Sequence, residues 1–79
     1  IAEVFPNPSR DYIEIELLDP SKRIGKVSMF DMNGKGFTIV KSEDEGSRIV
    51  LNLKHLKSGV YIVDLEVDTK HYRQQIVIQ

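Results

Sequence analysis

Apolar and polar side chains alternate in short runs along this 79-residue chain, and such alternation predicts half-buried β-strands. The run that follows Gly59 is rich in β-branched and aromatic residues, which favour strands over helices. One face of this run is apolar throughout and carries Tyr61, Val63, Leu65 and Val67. The opposite face begins apolar and ends acidic, so we expect the strand to enter the middle of a sheet and to leave it at the rim.

The same pattern predicts six further strands. Residues 41–47 are charged and lack apolar side chains, so we expect a solvated loop there. We expect residues 54–58 to form a single helical turn with Leu56 folded beneath it. About seven strands at regular intervals, without a long helix, predict an all-β fold, a small immunoglobulin-like antiparallel β-sandwich. The six further predicted strands are 1–5, 12–18, 24–31, 36–40, 48–53 and 71–79.

Proline and glycine punctuate these runs. In Pro6-Asn7-Pro8 two fixed φ angles bracket a residue that is itself driven towards extended geometry, so we expect a stiff, non-helical segment. Asn33-Gly34 predicts a hairpin, because both residues tolerate positive φ. Gly59 relaxes the steric limits on the backbone where the central strand begins.

The composition narrows the class of protein. The chain has no cysteine, so neither a disulfide nor a thiolate zinc site supplies stability. A formal net charge of −1 argues against nucleic-acid binding, which needs a basic surface. No apolar run approaches the length of a membrane-spanning helix, about 18 residues, so we expect no membrane insertion. Because the chain begins with Ile1 and lacks a signal peptide, we expect one domain, residues 1–79, excised from a longer protein.

Side chains that carry catalysis or bind metals are sparse. His55 and His71 are the only histidines, and no set of potential ligands has the spacing of a metal site. Asp31-Met32-Asn33-Gly34 resembles the start of a calcium loop, but Lys35 stands where the next oxygen ligand is needed. The acidic residues 43–45 fit a solvated loop, and the serines lack a partner base. We therefore expect a protein that is not an enzyme and binds neither a metal nor a cofactor.

Three short motifs follow one another along nearly the whole chain. The first is Val4-Phe5-Pro6-Asn7-Pro8, and the second is Val27-Ser28-Met29-Phe30-Asp31 followed by Asn33-Gly34-Lys35. The third joins Leu53 and Leu56 to Ser58-Gly59-Val60-Tyr61, and the tail Gln75-Ile76-Val77-Ile78-Gln79 comes after it. Each motif alone is a common turn or strand start, whereas the ordered set is more specific.

This set resembles the type A C-terminal sorting domains of the bacterial type IX secretion system. That family opens with Tyr/Phe-Pro-Asn-Pro, carries a middle Val-x-Ile-Tyr-Asp-x-x-Gly-Lys motif and a Leu-x-x-Leu-x-x-Gly-(Val/Ile)-Tyr block, and ends in a short basic and apolar tail. The sequence departs from the family at Phe30, where tyrosine is commoner, and at Gln74 and Gln75, where lysines are usual.

The resemblance implies a targeting signal, which we also call an address, rather than a catalytic activity. Such a domain lies at the carboxyl end of a cargo protein that reaches the periplasm through a separate amino-terminal signal, and it directs that cargo across the outer membrane. The implied partners are the type IX outer-membrane translocon, an N-terminal cargo domain and a sortase-like surface peptidase that removes the domain. The implied location is the periplasm in transit, then the outer-membrane surface or the extracellular medium.

The predicted last strand offers a physical route for reading such an address. The tail is apolar on both faces, and nothing in the sequence follows it to cover its edge. Our hypothesis is that the tail and the nearby Gly-Val-Tyr turn form the surface that the export machinery reads, by strand addition; a plain core strand is the alternative. The candidate sorting residues are Pro6, Asn7, Pro8, Asp31, Gly34, Lys35, Gly59, Val60, Tyr61, Ile76, Val77, Ile78 and Gln79.

The residues alone leave a second function open, an accessory sandwich module that binds carbohydrate or packs beside a catalytic domain. Carbohydrate sites use exposed aromatic rings, and we expect exposure only of Tyr12 and Tyr72. We expect Phe30, Phe37 and Tyr61 to lie in the core. The oligomeric state also stays open, a homodimer included.

Overall fold

Eight β-strands in two sheets make up the regular structure of the chain. A computed structural model describes all residues 1–79. The strands are β1 (Ala2–Phe5), β2 (Tyr12–Leu17), β3 (Val27–Asp31), β4 (Gly36–Phe37), β5 (Lys41–Asp44), β6 (Arg48–Asn52), β7 (Gly59–Val67) and β8 (Lys70–Ile78). The first sheet has the order β1-β2-β6-β5 and the second has β4-β3-β7-β8. No helix in the chain is long and apolar enough to cross a membrane.

The connections between the strands follow the topology of an immunoglobulin sandwich. Such domains place strands A, B, E and D in one sheet and strands C, F and G in the other. Here β1-β2-β6-β5 corresponds to the first set and β3-β7-β8 to the second, with the short β4 beside β3. Neighbouring strands in both sheets run antiparallel. The prediction of an all-β, immunoglobulin-like antiparallel sandwich is confirmed.

The core lies between the sheets and uses every second residue of the inner strands. The predicted central strand is β7, which lies between β3 and β8. Its apolar face, from Tyr61 to Val67, is buried as expected. The first sheet meets this face with side chains that are almost fully buried, namely Ile13, Ile15, Ile49 and Leu51.

The strand count is eight rather than about seven, because Lys41–Asp44 form β5. The prediction of a solvated loop over residues 41–47 is therefore wrong for residues 41–44, while residues 45–47 connect β5 to β6. β5 is an edge strand of the first sheet and all four of its residues are exposed, so no apolar alternation marks it. Charged side chains and the register shift between Lys41 and Glu43 protect such an edge from pairing with another chain.

Three other predicted segments differ from the structure, and the remaining strands agree to within one residue at each end. β3 begins at Val27, because residues 24–26 bridge the two sheets instead of pairing with one neighbour. β4 is shorter than residues 36–40, because the chain crosses to the first sheet after Phe37. Residues 54–58 contain a hydrogen-bonded turn and no helix, and Leu56 packs against the core as expected.

Candidate recognition surface

The motifs found in the sequence meet at one end of the second sheet. In the register of this sheet, Asp31 of β3 lies opposite Tyr61 of β7, and Tyr61 lies opposite Ile76 of β8. Gly59 pairs with Ile78 nearer to the same end. We call this region the motif end; it consists of residues 6–9, 31–37, 57–61 and 76–79.

Residues 6–9, which we call the clasp, leave β1 in the first sheet and lie along the outer edge of β8 in the second. The Ser9 amide donates to the Val77 carbonyl at 2.9 Å, and the Ser9 carbonyl accepts from the Gln79 amide at 2.8 Å. Ser9 is 2% exposed, and its hydroxyl also donates to the Val77 carbonyl, at 3.3 Å. The sequence analysis missed Ser9, because a buried polar residue leaves no mark in an apolar pattern.

The side chain of Asn7 makes two further hydrogen bonds between the clasp and β8. Its Oδ1 accepts the Val77 amide at 3.0 Å, and its Nδ2 donates to the Gln75 carbonyl at 3.4 Å. The expectation of an uncovered β8 edge is therefore wrong for residues 75–79, because the clasp supplies partners for backbone groups that point away from β7. Residues 70–74 pair only with β7, and their outer edge is open.

The second motif folds into the turn between β3 and β4, as Asn33-Gly34 predicted. The Asp31 carboxylate accepts hydrogen bonds from the amides of Asn33 and Lys35, at 2.9 and 3.0 Å. Gly34 has a φ of +84°, which residues with a Cβ rarely adopt. Asp31 and Gly34 therefore build the turn, whereas the Lys35 side chain extends from it with its Nζ 5.5 Å from the centre of the Phe37 ring.

The third motif forms the entry to β7. The Tyr61 hydroxyl donates to the Lys57 carbonyl at 2.6 Å, and Tyr61 is only 5% exposed. A tyrosine near the start of strand F that bonds to the backbone a few residues upstream is the tyrosine corner of immunoglobulin-like sandwiches. The Tyr61 ring meets Phe37 edge-to-face, with the ring centres 5.4 Å apart. The Gly-Val-Tyr block thus fixes how the chain enters the second sheet.

The candidate sorting residues divide into those that the fold buries and those that it displays. Ile76 and Ile78 are 0% and 3% exposed and belong to the core. Val60 and Val77 pair across strands on the outer face of the second sheet, and each is 37% exposed. The tail is therefore a core strand on one face and a displayed apolar surface on the other. Further displayed candidates are Pro6, Asn7, Pro8, Gly34, Lys35 and Gln79, while Asp31 and Gly59 are half-buried.

A comparison with known protein families shows which family the chain belongs to. The family described as "Secretion system C-terminal sorting domain" matches residues 3–79. The chain belongs to this family. The resemblance to type IX sorting domains is thereby confirmed, and no match was found among curated proteins.

Membership makes the sorting domain a C-terminal type IX secretion signal, in a family of non-catalytic signals. It implies a secreted protein that is exported across the outer membrane, an association with the type IX machinery, and a cargo that precedes the domain in the chain. The motifs that carry the resemblance are the ones that converge at the motif end.

At the opposite end of the second sheet, which we call the hairpin end, the sorting domain carries a cluster of charged side chains. Asp64 is 7% exposed, and its carboxylate lies 2.8 Å from His71 Nδ1 and 2.9 Å from Arg73 Nε. The hydrogen bond from His71 lowers the pKa of Asp64, burial opposes this, and Arg73 lowers it further. Arg73 also covers the Phe30 ring at 5.2 Å, so Phe30 lies on the outer face and not in the core as expected.

The outer face of the first sheet carries a second charged network. Arg48 contacts Glu14 at 2.9 Å, Glu43 at 3.3 Å and Glu45 at 3.0 Å, and the hydrogen bond from Arg48 lowers the pKa of Glu14. No group of three or more His, Asp or Glu side chains is placed to hold a metal ion. Of the two tyrosines expected to be exposed, Tyr12 is 51% exposed, whereas Tyr72 is half-buried.

Proposed function

We propose that the motif end is the surface by which the type IX outer-membrane translocon recognises this sorting domain. The observation that carries the proposal is the convergence of four segments, far apart in the sequence, at one end of one sheet. These are the segments on which the resemblance to the family rests. The domain then acts as an address for the N-terminal cargo to which it is joined, and performs no chemistry.

The displayed residues of the motif end are the ones that we infer to be read. Asp31 and Tyr61 have partners inside the domain, so their loss acts through the fold. Val60 and Val77 offer a paired apolar surface instead, and exposed apolar patches mark interaction sites.

We also propose the steps that follow recognition. A sortase-like peptidase at the cell surface cuts on the amino-terminal side of the domain, so that residues 1–79 are excised from the cargo. The protein passes through the periplasm and ends at the outer-membrane surface or in the medium. Family membership supports this order of events, because it implies a protein that is exported across the outer membrane.

A fusion tests the sorting role directly. Residues 1–79 are joined to the carboxyl end of a periplasm-targeted fluorescent protein and expressed in a strain with an intact type IX system and in a translocon-deficient strain. We expect fluorescence at the surface or in the medium only in the intact strain. Retention in the periplasm of both strains, with the fusion folded, contradicts the proposal.

A pair of matched variants then tests the surface. Val77→Glu places a charge on the displayed face of the tail, whereas Val40→Glu changes a valine of similar exposure, 43%, outside the motif end. We expect about a tenfold loss of export for Val77→Glu and none for Val40→Glu, with both variants folded by circular dichroism. Equal export of the two variants excludes Val77 from the recognised surface. Deletion of residues 76–79 is less informative, because it removes Ile76 and Ile78 from the core.

A further inference from the structure

A groove of about 420 Å³ opens at the motif end between the β3–β4 turn and the loop before β7. Its apolar lining includes Phe37, Leu56 and Tyr61. The rings of Phe37 and Tyr61 pack edge-to-face in this lining, which we call the floor of the groove. Lys35, His55 and Lys57 line its rim.

The charges at the rim are predominantly positive, although the chain as a whole carries a net charge of −1. Neither Lys35 nor Lys57 forms an ion pair within the domain, whereas Lys22 and Lys41 do. Asp31 is the only carboxylate that lines the groove. Its Oδ1 accepts two amides of the turn, and neither lysine forms an ion pair with it.

The backbone around these cations is held in place before any ligand arrives. The Asp31 carboxylate fixes the turn that carries Lys35, and the Tyr61 hydroxyl binds the Lys57 carbonyl at 2.6 Å. His55 Nε2 lies 2.9 Å from the Thr38 carbonyl and ties the loop before β7 to the chain beyond β4. Such preorganisation lowers the entropic cost of binding.

We propose that this groove binds an extended peptide segment in which carboxylate side chains flank an apolar one, supplied by a component of the export machinery. The carboxylates pair with Lys35 and Lys57, and the apolar side chain covers the aromatic floor. The inference rests on the proposed function, because the groove lies between two sorting motifs. Two lysines are too few for an anionic lipid surface, which needs a cluster of about four to eight basic residues.

Titration of the 15N-labelled domain with two capped pentapeptides tests the groove without export. One probe is acetyl-Gly-Glu-Phe-Asp-Gly-amide, and the other replaces both acids by their amides, Gln and Asn. We expect saturable amide shifts at residues 31–37 and 55–61 with the acidic probe, at a Kd of about 1 mM or below. We expect at least about a fivefold weaker response with the neutral probe.

Matched variants assign the response to the two lysines. The double variant Lys35→Gln/Lys57→Gln is expected to abolish the shifts caused by the acidic probe. Lys26→Gln/Lys70→Gln removes two exposed lysines that lie outside the groove and is expected to leave the shifts unchanged. Absence of saturable shifts, equal shifts with the neutral probe, or the same shifts with inorganic phosphate overturns the proposal.

The fusion assay separates failure of this inference from failure of the sorting role. If the fusion is exported but the groove binds no acidic probe, the groove proposal falls and the sorting role stands. If the groove binds the probe and Lys35→Gln/Lys57→Gln is exported normally, the assignment of the ligand to the export machinery is overturned. We expect loss of probe binding and about a tenfold fall in export to occur together in the double variant.

Discussion

Backbone pairing of β7 with β8 and buried apolar side chains extend along the whole second sheet, but the motif end adds the hydrogen bonds of the clasp, whereas the hairpin end adds ion pairs between side chains. The clasp bonds to β8 through Ser9 and Asn7, and Ile76 lies fully buried beneath it. At the hairpin end the Asp64 carboxylate binds the two basic side chains that lie beside it on β8. The same two strands thus carry different additional contacts at their two ends.

This difference indicates which end keeps its form when the solution changes. Salt screens exposed charges, and acid protonates carboxylates, while apolar burial and backbone bonds respond little to either. The clasp is therefore held by the less responsive kind of contact, whereas the β3–β4 turn of the same end also depends on the Asp31 carboxylate. The displayed side chains, Lys35, Val60 and Val77, take part in none of the hydrogen bonds that hold the motif end, so they stay available to a partner.

The largest effect is expected from truncating the core beneath the clasp. Ile76→Ala should lower the free energy of unfolding by about 2–5 kcal/mol, because it leaves a cavity at a site with no exposure. Its neighbour Val77 faces outwards, so Val77→Ala should cost less than about 1 kcal/mol. Urea denaturation of both variants measures the difference. Equal costs would show that the motif end does not depend on apolar burial in the way we describe.

The next effect is expected at the hairpin end and depends on pH. Asp64→Asn should cost about 1–2 kcal/mol at pH 7, because it removes a buried charge that accepts two bonds from half-exposed partners. The folded-state pKa of Asp64 is lowered, so its contribution is complete above the unfolded value of about 3.9. That contribution is lost as the pH falls through the folded pKa.

Urea denaturation between pH 7 and pH 2 checks this prediction, with Asp11→Asn as the control. Asp11 is exposed, and its side chain makes no hydrogen bond or ion pair. The destabilisation of Asp64→Asn relative to the wild type should shrink in acid, whereas Asp11→Asn should follow the wild type throughout. Part of the acid dependence will remain in both, because Glu14, Asp19 and Asp44 also have lowered pKa values. If the loss of unfolding free energy in Asp64→Asn does not change with pH, the charge of Asp64 does not stabilise the hairpin end.

Whether a strand has a buried face decides how well the sequence predicts it. Strands with one face in the core, such as β2 and β7, are marked by alternating apolar and polar residues, and their observed bounds agree with the predicted ones to within one residue. β5 has no buried face, so its pairing with β6 leaves no periodic signal. The short β4 ends where the chain changes sheets, a tertiary event that local composition does not encode.

The candidate surface could be predicted only in part, for a related reason. The motif residues were found through their resemblance to a family, and their turn chemistry accounts for Asp31 and Gly34. Neither the clasp nor the groove could be foreseen, because each joins segments distant in sequence. Ser9 and Asn7 contact residues about seventy positions away, and polar contacts at such separation have no period that a reader of the sequence could detect.

A smaller effect is expected from opening the clasp. Asn7→Ala removes the acceptor of the Val77 amide and should cost about 0.5–1.5 kcal/mol. Asn33→Ala changes an exposed asparagine whose side chain makes no hydrogen bond, so its cost should stay within about 0.5 kcal/mol. Amide hydrogen exchange at Val77 should become faster in Asn7→Ala and stay unchanged in Asn33→Ala. Unchanged exchange in both would mean that Asn7 does not protect the edge of β8.

The smallest effect is expected from Arg73, whose side chain is 66% exposed although it bonds to Asp64. Arg73→Gln should cost at most about 1 kcal/mol in dilute buffer, because an exposed ion pair gains little over hydration. In about 1 M salt the difference from the wild type should shrink, since the Debye length falls to about 3 Å. Asn7→Ala, measured beside it, should keep its full cost in the same salt, because the hydrogen bonds of the Asn7 side chain join neutral groups. If salt removed both costs equally, the contrast between the two ends would be one of exposure alone and not of the kind of bond.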